Sequence, residues 1–169
     1  MKIFEHETSD QGLVDILAYC LMPNHFHIVL RQKKDGGIER FMRKLATAYS
    51  MYFNAKYEHG GVLFQGRYKS SLIDNESYFR YIFAYVHLNP IDLIEPNWET
   101  SGIQEPRKVK DFMQTYMYSS YMDYSVAPRP ASIILSKTDI SDFLREAKDL
   151  DDLLKWHSSR TVLDMRTPV

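Results

Sequence analysis

Apolar and polar positions fall into blocks along this chain, and the blocks set out its elements. Val14-Asp15-Ile16-Leu17-Ala18-Tyr19-Cys20-Leu21 is rich in apolar and β-favouring residues and reads as a strand. Pro23-Asn24 is a turn signal, and His25 to Arg31 is a return strand, which predicts an antiparallel hairpin. Asp35-Gly36-Gly37 then breaks the chain. Ile38, Phe41, Leu45, Ala48 and Tyr52 recur at helical spacing, which predicts a helix from Ile38 to Tyr57 with one apolar stripe, closed by Gly60-Gly61. Phe64 to Ile73 reads as a third strand, with Arg67 and Lys69 on one of its faces. Asp74 or Asn75 caps the next helix, which runs to Leu88 and is stopped near Asn89 by Pro90.

That second helix carries two stripes. Phe79, Ile82, Phe83 and Val86 form a core stripe; Tyr78, Tyr81, Tyr85 and Asn89 form a second one of hydroxyls and an amide, for which core packing alone gives no reason. The pattern breaks from Glu95 to Pro106, which reads as a loop, and Asp111 to Tyr124 reads as partly helical. Ala127-Pro128-Arg129-Pro130 is a short stiff linker. Beyond it, Thr138 or Ser141 would cap a final amphipathic helix through Phe143, Leu144, Ala147 and Leu150, before a polar tail. The expected division is a catalytic domain over residues 1–125 and a C-terminal helical extension over 126–169.

Composition narrows the classes. The 169 residues are 44% hydrophobic and 25% charged, with a net charge of −1, ordinary values for a globular chain. Charge is unevenly placed: nine basic residues against three acidic ones lie between Arg31 and Lys69, and six acidic against two basic between Asp139 and Asp152. A basic middle points to a localised anionic partner. Cys20 is the only cysteine, so intrachain disulfides and cysteine-rich zinc clusters are excluded. No segment has signal-peptide form or approaches the roughly 20 apolar residues of a membrane span. The expected location is the cytoplasm.

Candidate chemistry centres on Asn24-His25-Phe26-His27. In a strand His25 and His27 share a face while Phe26 takes the other, so two imidazoles converge where one divalent cation fits. Tyr85 and Asn89 lie four residues apart on one helix and so project from one side of it. Asn89 is a third ligand candidate and Tyr85 a nucleophile candidate. With a hard amide oxygen and phosphate oxygens completing the shell, Mg²⁺ or Mn²⁺ suits the site. A phenol has a pKa near 10 and needs activation. Its attack on a phosphodiester conserves bond energy in a phosphotyrosine, so no ATP site is required, and no P-loop motif is present. Arg40, Arg43, Lys44, Arg67 and Lys69 read either as solvated surface or as a phosphate-tracking, DNA-binding set.

Three segments carry a resemblance. Tyr19-Cys20-Leu21-Met22-Pro23-Asn24-His25-Phe26-His27, Phe64-Gln65-Gly66-Arg67-Tyr68-Lys69 and Tyr85-Val86-His87-Leu88-Asn89-Pro90 resemble, in order, the signatures of the single-tyrosine HUH transposases, above all the REP-associated tyrosine transposase branch. Tyr118-Ser119-Ser120-Tyr121 is a weaker echo. The resemblance implies an α+β fold, a ferredoxin-like antiparallel sheet with helices packed on one face. It implies metal-dependent cleavage and rejoining of single-stranded or hairpin DNA through a 5′-phosphotyrosine, with His25, His27 and Asn89 as ligands and Tyr85 as nucleophile. Insertion-sequence members commonly work as dimers, so a homodimer is one expected assembly. One departure stands out: only about a dozen residues precede Val14, where the family has a strand and a helix. The chain is therefore expected to lack that first unit, with Met1–Phe4 as a candidate replacement strand and with dimerisation or poor stability as the consequence.

Two other readings fit the same residues. A catalytically inactive, truncated or domesticated relative would use the cations and tyrosines only to bind nucleic acid. A zinc hydrolase would use His25 and His27 with a further ligand, for which none of His6, His59, His87 or His157 has suitable spacing.

Overall fold

The computed structural model describes residues 12–125, 127, 129–137 and 149–158. The chain divides into two compact units. Within the described residues, one comprises residues 12–15 with Leu30–Lys69, and the other Ile16–Val29 with the residues from Ser70 onward.

Strands β1 (Val14–Leu21) and β2 (Phe26–Gln32) form the predicted antiparallel hairpin, within one residue of the expected bounds. Its turn is closed by the Met22 N–H donating to the His25 carbonyl at 2.9 Å. At the open end, in the first unit, Arg31 pairs with the Asp15 carboxylate at 2.5 Å and the Lys33 N–H donates to the Leu13 carbonyl at 3.1 Å. Helix α1 (Gly37–Tyr57) follows. Its apolar stripe is covered only in part: Met42 is buried, Ile38 and Phe41 are half-buried, and Leu45, Ala48 and Tyr52 are exposed.

The third strand expected over Phe64–Ile73 is not formed. A strand needs a neighbour for its N–H and C=O groups, and among the described residues this segment has no ladder partner. Phe64 turns back instead to α1, with its ring 6.1 Å from that of Tyr49, and Gly66 takes a left-handed φ of 81° that interrupts extended backbone. Residues 65–72 are exposed, so Arg67 and Lys69 lie in an irregular segment and not on a strand face. The described sheet thus has two strands, and the architecture is α+β. The proposed strand at Met1–Phe4 lies outside the described residues.

The second unit is built around helix α2 (Glu76–Leu88). Asn75 is its cap: the Asn75 side chain accepts from the Tyr78 N–H at 2.8 Å. A 3-10 turn, Asn89–Leu93, continues the helix through Pro90. Short helix α3 (Trp98–Ser101) interrupts the expected loop, and α4 (Pro106–Thr115) and α5 (Tyr121–Ser125) divide the segment expected to be partly helical. The final described helix, α6 (Leu150–Ser158), packs against α2. The caps and most of the stripe expected upstream of Leu150 lie outside the described residues.

The core of this unit gathers Leu17, Cys20, Val29, Phe83, Leu88, Ile91, Val109, Met113, Leu153 and Trp156. Two tyrosine hydroxyls tie the later segment to β1: Tyr116 donates to the Leu21 carbonyl at 2.6 Å and Tyr124 to the Leu17 carbonyl at 2.5 Å. Asp123 is buried and held by Arg129 at 2.6 Å, and Arg129 also donates to the Ser119 and Met117 carbonyls, both at 2.7 Å. Removing one partner of such a pair leaves a charge without compensation.

The start of α1 leaves no room for a side chain. A Cβ on Gly37 would collide with the Leu13 carbonyl oxygen, a backbone atom that cannot swing aside. Gly37→Ala should therefore cost about 1–3 kcal/mol, the scale of overpacking. The midpoint of chemical denaturation checks this, and an unchanged midpoint would contradict the close approach.

Candidate active site

The site is built from the turn end of the hairpin and the C-terminal end of α2, all within the second unit. His25 immediately precedes β2 and His27 lies in it. Their rings stand edge to face with centroids 4.9 Å apart, together on one side of the hairpin. His25 Nδ1 donates to the Asn24 side-chain oxygen at 2.7 Å, which leaves Nε2 as the ring's other nitrogen for a further contact. His27 is half-buried, and its Nε2 is a buried atom with no hydrogen-bond partner.

Helix α2 presents Tyr85 to these rings. The Tyr85 ring lies 5.2 Å from that of His27, again edge to face. Asn89 is buried one helical turn on, and its amide lies close enough to both groups to act on their protons: it favours the protonated form of His27 and the ionised form of Tyr85. Burial opposes both. Desolvation, followed by the neighbouring His25, brings the His27 pKa down to about 4. Burial raises the Tyr85 phenol above its usual 10, and the negative fields of Glu99 and Asp92 raise it further, against the lowering effect of Asn89. Near neutral pH the resting site holds a neutral imidazole facing a neutral phenol.

The hydroxyl stripe on α2 divides by role. Tyr78 and Tyr81 are buried and stack at 6.4 Å, and Tyr81 also stacks on His157 of α6 at 5.3 Å. These two are packing residues, and only Tyr85 and Asn89 reach the histidines. His87 points away from the site, as its helical position predicts. It is fully enclosed, its Nδ1 donates to the Phe83 carbonyl at 2.9 Å, and its Nε2 meets the Ser120 hydroxyl at 2.8 Å. Enclosure brings its pKa down to about 3. Cys20 is completely buried with its thiol pushed up to about 12, which makes it an inert core residue.

Arg40, Arg43, Lys44, Arg67 and Lys69 are all exposed and belong to the first unit. Among the described residues no cluster of three His, Cys, Asp or Glu side chains is placed to hold a metal ion. The groups brought together here are instead two imidazoles and one amide. The unpartnered His27 Nε2, beside a second imidazole with its tautomer fixed by Asn24, fits a divalent cation. Three participants were not singled out from the sequence: Asn24 as the support of His25, and Asp92 and Glu99 as the field on Tyr85. An amide directly before His25 was the one local signal.

Compared with known protein families, residues 1–89 match the family described as transposase, IS200-like, a span that includes His25, His27, Tyr85 and Asn89. The chain belongs to that family. It is a transposase-family protein, with the DNA binding, transposition and recombination role that this entails. No curated protein and no solved structure gives a match. Among the described residues no helix is long and apolar enough to cross a membrane.

The enclosed histidines set an acid sensitivity. His27 and His87 have folded pKa values of about 4 and about 3, below the 6.5 of an exposed imidazole. As pH falls the unfolded chain takes up these protons first, so their contribution is fully present above pH 6.5 and is lost toward 4 and 3. Between pH 6.5 and 5 the fully enclosed His87 alone should cost up to about 1.4 kcal/mol per pH unit. Thermal melting across that window checks this, and a flat melting temperature would contradict enclosure of His87.

Proposed function

We propose that this chain cleaves and rejoins single-stranded DNA, at hairpin-forming sequences, with Tyr85 as the nucleophile. The observation that carries the reading is the approach of the Tyr85 ring to within 5.2 Å of the His27 ring, with Asn89 beside both. His25, His27 and Asn89 would hold Mg²⁺ or Mn²⁺. Such an ion, when bound, supplies Lewis acidity at the scissile phosphate and stabilises an ionised phenol.

The chain's own residues account for the rest. Asn89 favours loss of the Tyr85 proton. The phenolic oxygen bonds to phosphorus as the bond from phosphorus to the 3′ oxygen breaks. The phenol gives up its proton and the departing 3′ oxygen takes one up. The 5′-phosphate stays on Tyr85 until a 3′-hydroxyl attacks it, re-forming a phosphodiester and releasing the phenol. Arg40, Arg43, Lys44, Arg67 and Lys69 supply exposed positive charge for phosphates outside the reacting centre. Because His27 and Tyr85 meet within one chain, the arrangement favours a site completed in cis, and a homodimer would add DNA-binding surface without supplying the nucleophile.

Incubation with single-stranded hairpin DNA and Mn²⁺ should give a covalent protein–DNA adduct. Tyr85→Phe should abolish it, chelation of the metal should prevent it, and His27→Ala should slow it on the order of 100-fold, the scale of losing one partner of transition-state charge. Salt-sensitive DNA binding with no adduct, unaltered by Tyr85→Phe or chelation, would establish the inactive nucleic-acid-binding relative instead.

A further inference from the structure

Helix α2 carries Tyr85 and Asn89 on one side and His87 on the other. At 3.6 residues per turn, His87 lies about 200° around the helix from Tyr85, whereas Asn89 lies only about 40° from it. The rotation of this helix about its axis therefore decides whether the phenol meets His27. Most of what surrounds α2 is apolar or aromatic, and apolar packing is non-directional. The contact from His87 to Ser120 is directional, and both residues are almost completely excluded from solvent.

The protons of this contact can be assigned. His87 Nδ1–H donates to the Phe83 carbonyl. A buried imidazolium would need a carboxylate in contact, and Nε2 meets only a hydroxyl, so the ring is neutral and Nε2 accepts. Ser120 has a single proton to give. Two acceptors are in reach, the Tyr19 carbonyl at 3.1 Å and His87 Nε2 at 2.8 Å; the carbonyl already accepts the Ser120 N–H at 2.9 Å, whereas buried Nε2 would otherwise lack a donor, so the hydroxyl proton goes to His87. The Ser120 oxygen in turn accepts the Tyr19 N–H at 2.9 Å. One hydroxyl thus joins α2 to β1, the strand that leads into the histidine turn.

We propose that Ser120 is a positioning residue: its hydroxyl, bridging His87 on α2 and the Tyr19 backbone on β1, fixes the rotation of α2 that points Tyr85 and Asn89 at His27. The inference rests on the proposed Tyr85 chemistry for its kinetic arm and on geometry alone for its spectroscopic arm. Without the hydroxyl, the His87 Nε2 and the Tyr19 N–H both lose their partner, and α2 is free to turn until they find others.

The test compares wild type with Ser120→Ala, with Ser120→Cys as a second variant of nearly equal volume, and with Ser120→Thr as the variant that keeps the hydroxyl. In wild type, an NMR cross-relaxation peak links the ring protons of His27 and Tyr85. In folded Ser120→Ala or Ser120→Cys this peak should weaken or vanish, while Ser120→Thr should keep it. At saturating hairpin DNA the rate of adduct formation should fall at least about tenfold in the first two, with DNA half-saturation unchanged. Folded variants that keep both the ring contact and the wild-type rate would overturn the proposal, even if they melt at lower temperature. A wild-type protein that forms no adduct but loses the ring contact on Ser120→Ala would sink the DNA-cleavage reading and leave the positioning role intact.

Discussion

The structure depends on how helix α2 is held. Phe83, Ala84, Val86, His87 and Leu88 are all buried, and α6 closes over the helix through Leu153 and Trp156. A helix enclosed on nearly every side must satisfy each polar group it carries inward. His87 is such a group, and it spends one nitrogen on its own helix and the other on Ser120. The same serine reaches β1 through the Tyr19 backbone. Hydrophobic burial brings helix and strand together, and this bridge sets their register.

The chemistry of the site follows from partial burial. Tyr85 and His27 are both half-buried, so the environment resists charge on either. A phenol raised above its normal pKa is a poor nucleophile at rest and a strong one once its proton is removed. An imidazole kept neutral, with its Nε2 unpartnered, is a ready electron-pair donor to a cation. Asn89 mediates between them because it carries no charge of its own and acts on both protons. In the proposed site, two imidazoles and an amide would leave the charge of a divalent ion undiminished, which suits an anionic substrate.

Much of this was legible in the chain because it rests on local geometry. The period of two in a strand put His25 and His27 on one face, and the four-residue spacing put Tyr85 beside Asn89. The cap of α2 was narrowed to Asp74 or Asn75 by side-chain type, and the structure uses Asn75. What could not be read were the partners brought together by tertiary structure. The His87–Ser120 contact spans 33 residues, and nothing in either segment announces the other. Phe64–Ile73 has strand-like composition, but composition supplies no neighbouring strand, and Phe64 found α1 instead. The tyrosines at 78 and 81 share a stripe with Tyr85, yet their neighbours made them packing residues. On α1 the apolar period correctly marked the helix, but period alone does not reveal what covers the stripe, and Leu45 and Tyr52 remain exposed.

The central claim is that the hairpin turn and the end of α2 form one cation-holding centre faced by a phenol. Crystals of the protein soaked in Mn²⁺, with anomalous diffraction recorded near the manganese edge, test it most directly. The account predicts a single strong peak bounded by His25 Nε2, His27 Nε2 and the Asn89 side-chain oxygen, with the Tyr85 hydroxyl facing it. A peak elsewhere on the chain, or none at these residues at a concentration that saturates metal binding in solution, would contradict it.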